Sequence, residues 1–177
     1  MKVLIRNSST KILGTNPFWD YVQEEYLLPD GKPAPYYYAR SRNSSIVIPQ
    51  LDNGLFVLVK QFRYLGGRTG IEFPGGGHKP GHSPEMTAHE EMREEAGITE
   101  AELTFIGTFN PCIGITDEVC SVYYAKATSL SVPQPEPSEE IEVIFATAED
   151  ICKFIAQGEI WNGMSLAAWA LFRLRGL

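Results

Sequence analysis

Five glutamates fall within one short segment that ends at a glycine: Glu85, Glu90, Glu91, Glu94 and Glu95. On a helix, at 100° per residue, Glu91, Glu94 and Glu95 share an arc of roughly 100°. Like charges at these spacings repel one another by a few tenths of a kcal/mol per pair, and a divalent cation would relieve that repulsion. The alternative is a solvated acidic face, and an acidic helix taken by itself favours that alternative.

Local signals predict where this helix begins and ends. Ser83 is a good N-cap, Pro84 suits the first helical position, and Gly97 is a typical C-terminal stop. The predicted helix therefore ends at Ala96. Beside the acids runs an apolar stripe that we expect to face the core: Ala88, Met92 and Ala96.

A glycine run precedes the helix and follows a short predicted strand, Ile71–Phe73. Because glycine tolerates positive φ, we expect Gly76 and Gly77 to form a turn. A backbone carbonyl of the turn and carboxylates of the helix would then converge on one hard cation such as Mg²⁺. This context favours a metal site over a solvated acidic face.

The segment from Gly76 to Ile98 resembles the Nudix box. The family pattern is Gly, five residues, Glu, seven residues, Arg-Glu, an aliphatic, any residue, Glu-Glu, any residue, Gly and an aliphatic. The matching positions are Gly76, His82 and the run Glu90-Glu91-Met92-Arg93-Glu94-Glu95-Ala96-Gly97-Ile98. The resemblance implies that Glu91, Glu94 and Glu95 are the metal-binding acids.

Two box positions depart from the family pattern. His82 stands where the family has glutamate, and Glu90 stands where it has an arginine that helps orient a metal-binding glutamate. We hypothesise that His82 and Glu90 form a pair of reversed polarity that does the same orienting. The alternative is two independent changes in a weakened enzyme.

Further segments resemble the ADP-ribose pyrophosphatase branch of the Nudix family. They are Lys60-Gln61-Phe62-Arg63, Ile71-Glu72-Phe73-Pro74, Gly114-Ile115-Thr116-Asp117-Glu118, Ser138-Glu139-Glu140-Ile141 and Gly158-Glu159-Ile160. This resemblance implies an α+β fold, a Nudix α/β/α sandwich with a mixed central sheet and an N-terminal antiparallel strand region. It also implies an Mg²⁺-dependent enzyme, with Mn²⁺ as a substitute, that splits nucleoside diphosphate-linked sugars.

The same resemblance assigns roles at the metal. The Gly75 carbonyl, Glu91 and Glu95 are the expected ligands, and Glu139 in the following loop completes the set. The catalytic acids are expected to be Glu94, Glu95 and Glu139. Glu136 and Glu140 remain alternatives to Glu139 as the loop acid. Without a metal role, Glu139 and Glu140 would form a charged strand edge that deters edge pairing.

Four residues are candidates for substrate binding. Arg63 is suited to a bidentate clamp on phosphate, although a surface ion pair is an equal alternative. Trp19 and Tyr36 could stack on a base, with core or dimer packing as their alternative. Glu72 is expected to have an orienting role near the metal face.

Composition limits the partners and the location. The 177-residue chain has a net charge of −7, so nucleic acid is an unlikely electrostatic partner. No apolar run approaches the roughly 20 residues that span a bilayer, so we expect no membrane partner. The three cysteines form no Cys-x-x-Cys pair, which favours reduced thiols and a cytoplasmic location.

We therefore expect residues 1–44 to be a strand region that forms a homodimer and residues 45–177 to be a Nudix hydrolase domain. ADP-ribose is the first expected substrate, and a UDP- or GDP-sugar is the alternative. A non-catalytic nucleotide-binding Nudix domain is the alternative from another class. Beyond the acidic helix, two more helices are expected, at 147–157 and 164–174.

Overall fold

The computed structural model describes residues 6–135 and 140–176, with side chains from Thr10 onward. Ten strands and three helices follow in chain order: β1 (Arg6–Thr15), β2 (Trp19–Leu27), β3 (Pro33–Ser41), β4 (Ser44–Leu51), β5 (Phe56–Arg63), β6 (Arg68–Glu72), β7 (Gly75–Gly77), α1 (Pro84–Ala96), β8 (Ile98–Phe109), β9 (Cys120–Leu130), β10 (Ile141–Ala146), α2 (Ala148–Gln157) and α3 (Gly163–Arg175). These elements separate into two compact units.

The first unit contains the chain up to Arg42 together with Asn110–Val119. Its three strands form an antiparallel sheet in the order β1-β2-β3. The tight turn between β2 and β3 ends at Gly31, whose φ of +85° suits glycine. The expected N-terminal antiparallel strand region is confirmed. Its role in forming a dimer stays a prediction.

The second unit contains Asn43–Phe109 and the chain from Cys120 onward. Its seven-stranded sheet has the order β10-β5-β4-β9-β8, with β6 paired to β5 and β7 paired to β4. The β4–β9 pair is parallel and the other pairs are antiparallel. The sheet is therefore mixed, as predicted.

Alternating residues of the central strands cover both faces of this sheet. Ile46 and Ile48 of β4 belong to one core cluster, which includes Trp169 of α3 and Ile151 of α2. Val47, between them in sequence, belongs to a second cluster with Met92 and other residues of α1. Because successive side chains of a strand point to opposite faces, α1 lies on one side and α2 and α3 lie on the other. The α/β/α sandwich is confirmed.

The helix that carries the acids begins and ends as predicted. The Ser83 hydroxyl accepts a hydrogen bond from the Met86 N–H at 3.1 Å. At the other end Gly97 is left-handed, with φ +68°, and its N–H donates to the Met92 carbonyl. The predicted apolar stripe of Ala88, Met92 and Ala96 is buried. These caps and this stripe fix which face of α1 carries the acids.

None of the three helices within the described ranges is long and apolar enough to cross a membrane.

Gly97 offers a matched test of how α1 ends. Gly97→Ala places a Cβ in a left-handed residue, and that Cβ would overlap the Ser131 carbonyl oxygen. Gly158→Ala changes a residue of similar φ, +73°, whose Cβ would meet nothing within 4 Å. We expect a loss of about 1–2 kcal/mol in unfolding free energy for Gly158→Ala and roughly 3 kcal/mol or more for Gly97→Ala. Urea denaturation measures both, and equal losses would show that the overlap is relieved without cost.

Candidate active site

The glycine segment forms a strand, β7, that pairs antiparallel with β4. Neither Gly76 nor Gly77 has a positive φ, so the prediction that they need this conformation for a turn is wrong. Glycine is required for space instead. A Cβ on Gly75 would lie 2.6 Å from the Ser45 carbonyl oxygen, and a Cβ on Gly76 would overlap the carboxylate of Glu91. The strand therefore lies directly against both β4 and the acidic helix.

Glu95 links the helix to this strand. Its side chain is 3% exposed, and its Oε2 accepts a hydrogen bond from the Gly75 N–H at 2.9 Å. A buried carboxylate needs such partners, because water no longer solvates it. Two of the residues predicted to bind metal, Gly75 and Glu95, are thus brought into direct contact.

The two unusual box residues form the pair that the sequence analysis proposed. His82 Nδ1 lies 3.0 Å from Glu90 Oε2, which is hydrogen-bonding distance. The hypothesis of a contact of reversed polarity is confirmed at the level of geometry. Its orienting role stays a prediction.

Lys79 also lies among these acids, which sequence reasoning missed. Its Nζ is 3.5 Å from Glu90 Oε2 and 3.6 Å from Glu94 Oε2. Arg93 Nη2 contacts the other oxygen of Glu94 at 3.1 Å. Partial burial lowers the pKa of the Lys79 ammonium, but the attraction of Glu94 and Glu90 outweighs it and leaves the pKa raised. The acids on this part of α1 are therefore paired with cations.

Glu72 lies at the end of β6 with its carboxylate 2% exposed. Arg63 donates to both of its oxygens, from Nε at 2.9 Å and from Nη2 at 2.6 Å. Asn162 Nδ2 donates to Glu72 Oε2 at 2.5 Å. The fork that was predicted to clamp a phosphate is thus directed at a carboxylate of the protein. This arrangement is the ion pair that was the alternative for Arg63, except that its Glu72 side is buried.

Asn162 was not identified from the sequence. It is the N-cap of α3, because its Oδ1 accepts a hydrogen bond from the Met164 N–H at 2.8 Å. Its position before a predicted helix is a readable capping signal. Its contact with Glu72 joins residues far apart in sequence, and no local pattern indicates it.

Trp19 and Tyr36 lie in the first unit and line different cavities. Tyr36 borders a cavity of about 520 Å³, together with Tyr38, Glu24 and Asp117. Its hydroxyl donates to the Gly114 carbonyl at 3.3 Å. Trp19 is 46% exposed. The two rings therefore do not face one common cavity within this unit, and their positions do not support a base stacked between them.

The donor types suit a hard divalent cation. Glu91, Glu95 and the Gly75 carbonyl supply only oxygen, which Mg²⁺ prefers, and the lack of a side chain at Gly76 leaves room for the Glu91 carboxylate. Among the residues that the structure describes, no three acidic, histidine or cysteine side chains form a group that could hold a metal ion. Glu136 and Glu139 lie outside the described residues. Glu140 is exposed and immediately precedes β10.

The sequence of residues 40–166 matches the model of the NUDIX domain family. The chain belongs to the Nudix family. Members of this family generally use divalent metal ions, in agreement with the oxygen donors on α1 and β7. The predictions of a Nudix fold and of a Nudix hydrolase are confirmed.

Individual Nudix relatives are similar over most of the chain. It is 32% identical to an ADP-ribose pyrophosphatase of Bacillus subtilis, over 88% of this chain and 85% of the relative. It is 24% identical to an ADP-ribose pyrophosphatase of Mycobacterium tuberculosis, over 90% of this chain and 78% of the relative. The crystal structure of an ADP compounds hydrolase has a TM-score of 0.83, with 99% of this chain and 96% of that chain covered, at 16% identity. That structural likeness shows the fold.

The close approach of Gly76 to Glu91 makes a testable demand on the Nudix site. A methyl group in Gly76→Ala would displace the Glu91 carboxylate, which is the flexible end of a side chain, so folding should tolerate it. We expect unfolding free energy to change by no more than about 1 kcal/mol. If Glu91 binds the metal as predicted, the hydrolytic rate should fall by about 10- to 100-fold, because a displaced ligand costs rate without loss of fold.

Gly77→Ala is the matched control, because Gly77 is exposed and its added Cβ would meet nothing within 4 Å. It should keep both stability and rate. Equal rate losses in the two variants would show that the distance between Gly76 and Glu91 does not matter.

A second test concerns Asn162, which caps α3 and donates to Glu72. Asn162→Asp keeps a capping oxygen but places a carboxylate beside the buried Glu72. We expect it to lower unfolding free energy by about 3–5 kcal/mol, as an uncompensated buried charge does. Asn162→Ser also keeps a capping oxygen but loses the hydrogen bond from Nδ2 to Glu72, so its loss should be about 1–2 kcal/mol. Urea denaturation at pH 8 compares them, and a milder loss for aspartate would contradict the role assigned to Nδ2.

Proposed function

We propose that this Nudix hydrolase cleaves the pyrophosphate bond of a nucleoside diphosphate-linked sugar, with Mg²⁺ as cofactor and ADP-ribose as the first substrate to test. The observation that carries the proposal is the hydrogen bond from Gly75 to Glu95, which brings two predicted metal ligands together on a Nudix domain. The similarity to the Bacillus subtilis ADP-ribose pyrophosphatase supports the choice of substrate.

The residues proposed to hold the metal are the Gly75 carbonyl, Glu91 and Glu95, with Glu139 from the following loop. When bound, Mg²⁺ supplies neutralisation of the pyrophosphate charge and polarisation of a phosphoryl oxygen, and Mn²⁺ would supply the same. Glu95 is suited to a fixed position, because the Gly75 N–H holds one of its oxygens. Glu91 lies against β7 through the space that Gly76 leaves.

The chemical step requires a water molecule to lose a proton as it attacks phosphorus. We propose Glu139 as the general base, with Glu136 and Glu140 as alternatives, and Glu94 as an acid that orients the site. The bond between one phosphorus and the bridging oxygen breaks, and that oxygen leaves with the other phosphate. The products are a nucleoside monophosphate and a sugar phosphate.

Substrate contacts form a separate part of the proposal. Tyr36 and Trp19 are proposed to contact the base. For Tyr36 the support is the cavity of about 520 Å³ that it borders, a volume typical of small-molecule sites, whereas Trp19 lines a different cavity. For Arg63 the pairing with Glu72 supports a positioning role in the protein, and a phosphate contact would use the part of the guanidinium that faces away from Glu72. A homodimer in the cytoplasm completes the proposal.

A product assay tests the reaction and ranks the substrates. The protein is incubated with ADP-ribose, UDP-glucose or GDP-mannose, each with Mg²⁺ or with a chelator, and nucleoside monophosphate is quantified. We expect release of AMP from ADP-ribose with Mg²⁺ and none with chelator. Faster release from UDP-glucose or GDP-mannose would replace ADP-ribose with that sugar nucleotide.

Glu95→Gln is the control variant, because the amide oxygen can still accept the Gly75 N–H while the negative charge is removed. We expect the rate to fall by about 100-fold or more, as for other losses of a group that acts in the transition state. Intact folding is checked by the thermal unfolding midpoint. No release from any substrate, by a protein that still binds nucleotide, would favour the non-catalytic alternative.

A further inference from the structure

Lys79 occupies a position that the Nudix pattern does not specify. It lies in the connection between β7 and α1, and its ammonium is 3.5 Å from Glu90 Oε2 and 3.6 Å from Glu94 Oε2. Those two glutamates are one helical turn apart, so one cation is shared by neighbouring carboxylates on the same face of α1. His82 contacts the same Glu90 oxygen from another part of the connection.

Elementary electrostatics explains why a cation is needed here. Glu90 adds a negative charge at the position where the family pattern has arginine. Two carboxylates at i and i+4 repel each other, and the repulsion grows where solvent screening is reduced. The side chains of Glu90 and Glu94 are 27% and 20% exposed, so both are largely withdrawn from water. Arg93 contacts the other oxygen of Glu94, Oε1, at 3.1 Å, so Lys79 is the cation that Glu94 shares with Glu90 through Oε2.

We propose that Lys79 is a positioning residue for the hydrolysis proposed above. Its ammonium supplies, from the connection before α1, the positive charge that the family pattern places at position 90. It thereby holds Glu94 in the orientation that the site uses. The inference rests on the proposed function, but its effect on metal binding can be measured without turnover.

Two opposite effects distinguish positioning from a simple surface charge. Lys79→Met removes a positive charge from an acidic site, so Mn²⁺ should bind about threefold more tightly. The same change removes the contact at Glu94 Oε2 while Arg93 still contacts Oε1, so the carboxylate loses its fixed orientation and kcat at saturating Mg²⁺ should fall about tenfold. Tighter metal binding combined with slower turnover is the expected signature. Unchanged kcat at saturating Mg²⁺ would overturn the proposal.

Lys153→Met provides a matched control. Lys153 also bridges two acids on a helix, Glu149 at 2.8 Å and Asp150 at 3.7 Å, and it lies on α2 away from the acids of α1 in sequence. Removing this charge changes the net charge of the protein by the same amount. We expect no change in kcat or in Mn²⁺ affinity. An effect equal to that of Lys79→Met would show that the change in net charge explains both variants and would overturn the proposal.

A transplanted cation tests the assigned position directly. In the double variant Lys79→Met with Glu90→Arg, the cation returns to the helix at i, i+4 from Glu94, where it can pair with that carboxylate. We expect kcat to recover to within about threefold of the unaltered protein. Failure to recover, in a variant with a normal unfolding midpoint, would contradict the claim that Glu94 needs a second cation beside the one that Arg93 supplies.

A double-variant cycle keeps the inference testable if no substrate is turned over. Lys79→Met and Glu94→Gln are made singly and together, and Mn²⁺ dissociation constants are measured by titration calorimetry. Coupling of about threefold or more between the two changes is expected for groups in contact. Additive effects would overturn the positioning of Glu94 by Lys79. Absent hydrolysis with clear coupling would instead count against the proposed function alone.

Discussion

The repulsion among the carboxylates of α1 is the constraint on which the rest of the site depends. The helix must hold its acids close together while one flank of it is buried against the sheet through Ala88, Met92 and Ala96. The groups that contact these acids differ between the buried and the partly exposed positions. Buried Glu95 is held by a backbone N–H, whereas the partly exposed Glu90 and Glu94 are held by Lys79, His82 and Arg93. A hydrogen bond from a backbone dipole and an ion pair both offset the cost of withdrawing a carboxylate from water.

The hydrogen bond from the Gly75 N–H to Glu95 constrains the position of β7. For the Gly75 N–H to reach Glu95, β7 must lie close to α1 while it still pairs with β4. A side chain at Gly75 would meet the backbone of β4, and one at Gly76 would meet Glu91. The glycines are therefore needed for close approach, and the expectation of positive φ was a wrong reason for a correct choice of residues. Sequence reasoning could not separate the two reasons, because β4 lies far upstream and its pairing with β7 has no local signal.

The features that the sequence predicted correctly are those that neighbouring residues determine. Ser83 and Gly97 bound α1 because capping involves only neighbouring residues. Residues 1–44 were expected to be a strand region, but no local pattern marked β1, Arg6–Thr15, since its sequence is largely polar and its strand character comes from pairing with β2. Glu72 was expected to have an orienting role near the metal face, and this role stays a prediction. Its contacts with Arg63 and Asn162, which come from two other elements, were not predicted. Contacts that join distant segments decide such roles, and one sequence does not contain them in readable form.

The departures from the box show what the local charge pattern requires. By residue type alone, His82 and Glu90 are two losses from the box. Their charges are nevertheless paired, because Glu90 contacts His82 and shares Lys79 with Glu94. A cation can stabilise Glu94 from the connection between β7 and α1 as well as from the helix. The attraction depends on separation and screening, not on which segment carries the charge. The altered box is thus consistent with a rearranged set of ion pairs around an intact group of acids, and the two replacements alone are a weak reason to regard the domain as a non-catalytic binder.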